Sequence, residues 1–202
     1  MRYPEFFDQV PSIAMQDPLA AFLAAAEEGV VEYRYLDAVK LAGHSCPTVA
    51  GAWLMTRRAL ERLYGGERPA RGGIRVELRD DAAAGVAGVI ANVVALVTGA
   101  AGENGFKGIG GRFDRRHLLA FNAPIAGEIR FTRVDTGASV EAAYRAERVP
   151  PDPEMRRLLP RLQTGEATAT ERQRFGTLWQ DRVRRILIEH GDDPLLVTLS
   201  ER

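Results

Sequence analysis

The chain has 202 residues, of which 46% are hydrophobic, enough to bury the core of one compact domain. Its 27 Lys and Arg balance 27 Asp and Glu at a formal net charge of zero, which argues against attraction to a nucleic acid backbone. A single cysteine excludes an intramolecular disulfide framework and any zinc ribbon that needs four thiolates.

The opening residues, Met1-Arg2-Tyr3-Pro4-Glu5, lack the apolar core and cleavage signature of a signal peptide. The most apolar run, 82–101, is rich in Ala and Gly and is interrupted, so no membrane-spanning segment is expected. The expectation is a soluble, cytoplasmic protein with no nucleic acid and no membrane partner. Asp17-Pro18 reads as a helix start, with Asp as cap and Pro in the first turn. Leu19, Phe22, Leu23 and Ala26 then recur at helical spacing until Gly29. Residues 30–35 are β-prone and short, and 37–41 fit one or two helical turns.

Pro47 suits the first turn of a long helix, because its missing N–H would be unpaired there anyway. Val49, Ala52, Trp53, Thr56, Leu60 and Leu63 form its apolar face, with Arg57, Arg58, Glu61 and Arg62 elsewhere, and Gly65-Gly66 ends it. Ile74-Arg75-Val76-Glu77-Leu78 alternates as a half-buried strand does, and Asp80-Asp81 follows it. Residues 85–98 predict a buried helix of small and β-branched side chains. The Gly-dense stretch 99–111 lacks the spacing of a phosphate-binding loop and reads as a tight structural loop beside a pocket. The arginines at 112, 115 and 116 read as a solvated loop, with anion binding as the alternative. Residues 117–121 and 128–134 predict strands. Asp135-Thr136-Gly137 is a turn signal, and the alternation of Val140, Ala142 and Tyr144 completes a hairpin.

Pro150-Pro151-Asp152-Pro153 marks a break, followed by predicted helices over 154–162 and 170–190. In the second, Phe175, Leu178, Trp179, Val183, Ile186 and Leu187 form an apolar stripe, read as core or subunit interface. His190 near its end is a favourable partner for the helix dipole. A final strand is expected over 195–199. The order of elements predicts an α+β fold with a curved antiparallel or mixed sheet packed against helices. One domain is expected: an N-terminal helical segment (1–30), a core (31–149), and C-terminal helices with a short strand (150–202).

The chemistry concentrates in Gly43-His44-Ser45-Cys46-Pro47, which holds the only cysteine and one of three histidines. Cys46 falls at the cap position of the Pro47 helix, where the dipole and free N–H groups stabilise a thiolate. Imidazole and thiolate together suit zinc or another borderline divalent ion. Two ligands are too few for a stable site. Asp80 and Asp81 are the first supplementary candidates and His117 the second, or a second chain completes the set. The competing accounts are a buried structural Cys46, an ordinary hydrogen-bonded His44 and a solvated turn at Asp80-Asp81. A catalytic pair, with Cys46 as nucleophile and His44 as its base, ranks below metal binding.

Gly43-His44-Ser45-Cys46-Pro47 followed by Gly51 resembles the Gly-His-x-Cys-Pro-Gly…Gly signature of the formylmethanofuran dehydrogenase E-like family. The strand ending at Asp80-Asp81, the loop from Thr98 to Asn104 and the Asp135-Thr136-Gly137 hairpin follow in the order of that family, over roughly residues 33–190. The resemblance implies an α+β core that often forms a homodimer, with a metal-binding or active site at His44 and Cys46. The family's further cysteine near the second strand is replaced here by Asp80-Asp81, and the cysteines of its C-terminal zinc module are absent. Its implied function is that of a metal-binding protein with a pocket for a small-molecule ligand and no assigned reaction. The alternative is an accessory or assembly protein that acts through a dimer surface.

Overall fold

The computed structural model describes residues 2–201 and has the α+β architecture expected, with two sheets and six α-helices among them. Strand β1 (Ile13–Gln16) pairs antiparallel with β2 (Val30–Tyr33). β1 lies inside the segment read as helical; its four residues are too few to show a period, and Ile13 and Met15 are buried while Ala14 is exposed. Helix α1 (Pro18–Phe22) starts as its capping residue dictates, with Asp17 accepting from the N–H groups of Leu19 and Ala20. It stops after five residues instead of continuing toward Gly29, and Phe22 and Leu23 are exposed. Ala24 takes a positive φ of 50°, which turns the chain before the apolar spacing can form a buried face.

Helix α2 (Tyr35–Ala42) leads to α3 (Pro47–Tyr64), the central helix. The expected apolar stripe of α3 is wider in the fold: Ala50, Gly51, Leu54, Met55 and Ala59 are buried as well. Arg57, off the expected apolar face, is also buried. Its guanidinium donates to the Gly191 carbonyl at 3.0 Å, pairs with Glu61 at 3.0 Å and contacts the Asp192 carboxylate. Glu61 is the neighbour one helical turn on, but Gly191 and Asp192 lie 134 and 135 residues downstream and are invisible to helical periodicity.

The main sheet has five strands in the order β4-β3-β5-β6-β7: β3 (Ile74–Leu78), β4 (Leu119–Ala120), β5 (Ile129–Arg133), β6 (Ser139–Tyr144) and β7 (Val197–Glu201). It is mixed, because β3–β4 is parallel and the other pairs are antiparallel. Val76, Phe131 and Val140 stand opposite one another in register on the buried face. On the other side Glu77, Arg130 and Glu141 form a cross-strand charge row, with Arg130 and Glu141 at 2.8 Å. Helix α3 packs on β6 and touches β5 and β7, while α4 (Ala87–Thr98) packs on α3, α2 and β3. Trp53, Tyr35, Phe131 and Leu54 are the largest fully buried side chains in this layer. Phe131 and Leu54 each contribute about 1.5–3 kcal/mol by burial. Helices α5 (Glu154–Gln163) and α6 (Ala169–Arg184) pack together, and α6 ends in a π turn over Arg185–Glu189. The predicted stripe is core at Leu178 and Val183 on α6 and at Ile186 and Leu187 in the π turn. No helix among the described residues is long and apolar enough to cross a membrane.

Candidate functional site

The link between α2 and α3 is built from backbone constraints. Gly43 ends α2 with φ of 75°, a left-handed conformation that glycine adopts without strain, and its N–H closes on the Val39 carbonyl at 2.8 Å. The next four residues place four different side chains. His44 is exposed, and its Nδ1 lies 2.9 Å from the Ala42 carbonyl. A carbonyl can only accept, so Nδ1 carries the proton and Nε2 is the free ring nitrogen. The imidazole borders a cavity of about 160 Å³, whose other walls include Leu41, Val89, Asn92 and Val93.

Ser45 is buried and clamped from two sides. Its hydroxyl is 3.0 Å from the Tyr35 hydroxyl, and its carbonyl accepts from Trp179 Nε1 at 2.9 Å and Gln180 Nε2 at 3.3 Å. Cys46 is 8% exposed and caps α3 in extended backbone, with Sγ accepting from the Val49 N–H at 3.5 Å. Pro47 opens the helix as its missing donor allows.

Two tyrosine phenols lie close enough to Cys46 to be influenced by it. Burial pushes the Tyr35 phenol well above the ordinary tyrosine value, the Ser45 hydrogen bond opposes this, and the nearby Cys46 and Tyr144 raise it further. Burial likewise raises Tyr144, Arg182 opposes the shift, and Cys46, Glu128 and Glu147 add to it. Both phenols therefore remain neutral at physiological pH. The Tyr144 ring lies directly against Gly51, where any side chain would collide with it. Gly51 thus has a packing reason: it makes room for an aromatic ring against the first turns of α3. Ser45, Tyr35, Tyr144, Trp179 and Gln180 were missed as site neighbours. Only strand alternation marked Tyr144 and only helical spacing marked Trp179, and neither signal says what the side chain touches.

The supplementary ligand candidates lie in other settings. Asp80 is exposed and paired with Arg79 at 3.0 Å. Asp81 is exposed and accepts from the Ala83 N–H at 2.9 Å and Asn122 Nδ2 at 3.0 Å, the arrangement of a solvated turn. His117 is exposed with a positive φ of 58°, and its backbone N–H donates to Gly102. Among the described residues no three His, Cys, Asp or Glu side chains converge as a metal site. The donor chemistry of His44 and Cys46 fits zinc; the number of donors from one copy does not complete its shell.

The arginine loop is also not simply solvated. Arg115 is buried, and it meets Asp17 at 2.7 Å while Arg71 meets the same carboxylate at 3.0 Å. This pairing fixes the Gly-dense loop to the start of α1. His190 ends the π turn, with its ring 3.6 Å from Asp193.

No family model matches the chain, and no curated protein matches it.

Proposed function

We propose that the protein binds a divalent metal, zinc first, through His44 Nε2 and Cys46 Sγ, as its resemblance to the formylmethanofuran dehydrogenase E-like family implies. The observation that carries this reading is the anchored imidazole. Metal-bound histidines characteristically donate their second ring N–H to a carbonyl or carboxylate, and His44 Nδ1 does so to Ala42 at 2.9 Å. The position of Cys46 at the start of an 18-residue helix supports it, because a thiolate gains from the dipole and from the Val49 N–H. A bound ion of this kind supplies Lewis acidity toward an oxygen-bearing ligand. The chain's own contribution is to hold the imidazole in one tautomer and to keep the sulfur buried at the start of α3, near two neutral phenols.

Further donors come from water, a small-molecule ligand or a second copy of the chain. A homodimer accords with this, since α4 carries no charged residue, and Val86 and Leu41 are each 49% exposed. Leu41 also lines the His44 cavity. The reading assigns no substrate and no reaction.

Purification without chelators, followed by elemental analysis, tests it. Wild type should carry zinc in stoichiometric amount, and His44→Ala, a surface change that leaves the core intact, should lose most of it. Cobalt substitution should give a thiolate charge-transfer band that Cys46→Ser abolishes. Metal-free wild type, or a band that survives Cys46→Ser, overturns the reading.

A further inference from the structure

A second cavity, of about 260 Å³, lies between the start of α4 and the ends of β3 and β5. It is bordered by neither His44 nor Cys46. Leu78, Val86, Ala87 and Ile90 form an apolar wall, and Arg79, Asp80 and Glu128 supply the charges. The volume is on the order of nine liquid water molecules, so it suits a compact ligand. A concave, mainly apolar space with a few converging polar groups is the usual form of a small-molecule site.

The charges decide the sign of the ligand. Arg79 Nε meets Asp80 at 3.0 Å, so the one guanidinium at the rim is already matched. Glu128 is half-buried and has no ion-pair partner among the described residues; its carboxylate takes a hydrogen bond from the Tyr144 backbone N–H. The charged groups acting on it are Arg79 and Asp80 from the end of β3 and Glu147 beyond β6, with the Tyr144 phenol close by. Two lining carboxylates, Asp80 and Glu128, against one guanidinium leave the cavity electronegative, and Glu147 outside the lining adds to this. Burial raises the Glu128 carboxyl above its ordinary value, the Tyr144 N–H and Arg79 oppose that, and Asp80 and Glu147 reinforce it. A cation brought to Glu128 relieves this repulsion, whereas an anion adds to it.

We propose that this cavity binds a small organic cation, an alkylammonium whose charge pairs with Glu128 and whose chain is covered by Leu78, Val86 and Ile90. Binding favours the ionised carboxylate, so affinity weakens as pH falls through the raised titration of Glu128.

The probe is n-pentylamine, with 1-pentanol and pentanoate as neutral and anionic counterparts, titrated calorimetrically into the full chain. Pentylammonium should bind; pentanol and pentanoate should bind roughly tenfold more weakly or not at all. Glu128→Gln keeps an acceptor for the Tyr144 N–H and should weaken pentylammonium by about tenfold. Ile90→Trp fills the apolar wall and should abolish binding while leaving Glu128 in place. Asp80→Asn leaves Arg79 without its partner beside Glu128 and should weaken pentylammonium, but by less than about threefold, because both side chains are exposed at the rim and screened by solvent. Pentanoate binding as well as pentylammonium overturns the proposal, and so does pentylammonium binding that survives both Glu128→Gln and Ile90→Trp. Neither result bears on metal content, which separates this site from the His44 and Cys46 reading.

Discussion

Gly51→Ala inverts a rule that helices otherwise obey. Gly51 lies inside α3, where alanine is ordinarily preferred to glycine by about 0.8–1.0 kcal/mol. Here a Cβ would sit 2.5 Å from Cε1 of Tyr144 and closer still to Cδ1. Carbon atoms make their best contacts at roughly 3.5–4.0 Å, so the added methyl intrudes by about 1 Å. The ring cannot swing away freely, because the Tyr144 hydroxyl is fully enclosed and β6 holds its backbone. Overpacking of this kind costs about 1–3 kcal/mol, and an intrusion this deep belongs to the upper part of that range. Setting the propensity gain against it leaves a net loss of about 1–2 kcal/mol, or a drop in Tm of roughly 2–8 °C for a chain of this size. Urea denaturation measures the change. In a Tyr144→Ala background the obstacle is gone, and Gly51→Ala should become stabilising by up to about 1 kcal/mol. A stabilising Gly51→Ala in the wild-type background would refute the reasoning, as would the same effect in both backgrounds.

Two more expectations concern buried charges. Asp17→Ala removes the cap of α1 and leaves Arg71 and Arg115 facing no carboxylate, a loss of about 3–5 kcal/mol by urea denaturation. Burial tends to raise the Asp17 carboxyl, but the Ala20 N–H, Arg115 and Arg71 outweigh it and hold the group below its ordinary value. Its stabilising contribution is therefore complete above the ordinary carboxylate value and lost as pH falls through the lowered one. Acid titration should show wild type losing stability below about pH 4 more steeply than Asp17→Asn. Arg57→Lys should cost about 1–3 kcal/mol, because a single ammonium cannot reach Glu61, Asp192 and the Gly191 carbonyl together. Unchanged stability of Arg57→Lys would show that this tie between α3 and the C-terminal turn contributes nothing.

Local chemistry made much of the fold legible. Asp17-Pro18, Pro47 and Gly65 state helix ends through donors and backbone angles that depend only on near neighbours, and the structure has α1 starting and α3 starting and ending there. Alternation marked β3 and the β5–β6 hairpin, because period-two side chains report a sheet with one buried face. The same local signals failed where a distant segment decided the outcome. Arg115 looked solvated, and nothing marked Arg57 as buried, because their partners Asp17 and Gly191 lie far away in the chain. β1 was too short for periodicity to separate it from its surroundings.

The candidate site divides in the same way. The residue types at 43–47 specified a left-handed turn, a capped helix and two donor atoms of suitable chemistry, since each of those properties is held within a few consecutive residues. Only the folded chain could put Tyr35, Tyr144, Trp179 and Gln180 around Ser45 and Cys46, place His44 at the surface, and leave Asp80 and Asp81 in their own turn. The cavity at Glu128 belongs wholly to this second class. Its charge sum and its apolar wall come from three separate elements, and no local pattern encodes the space between them.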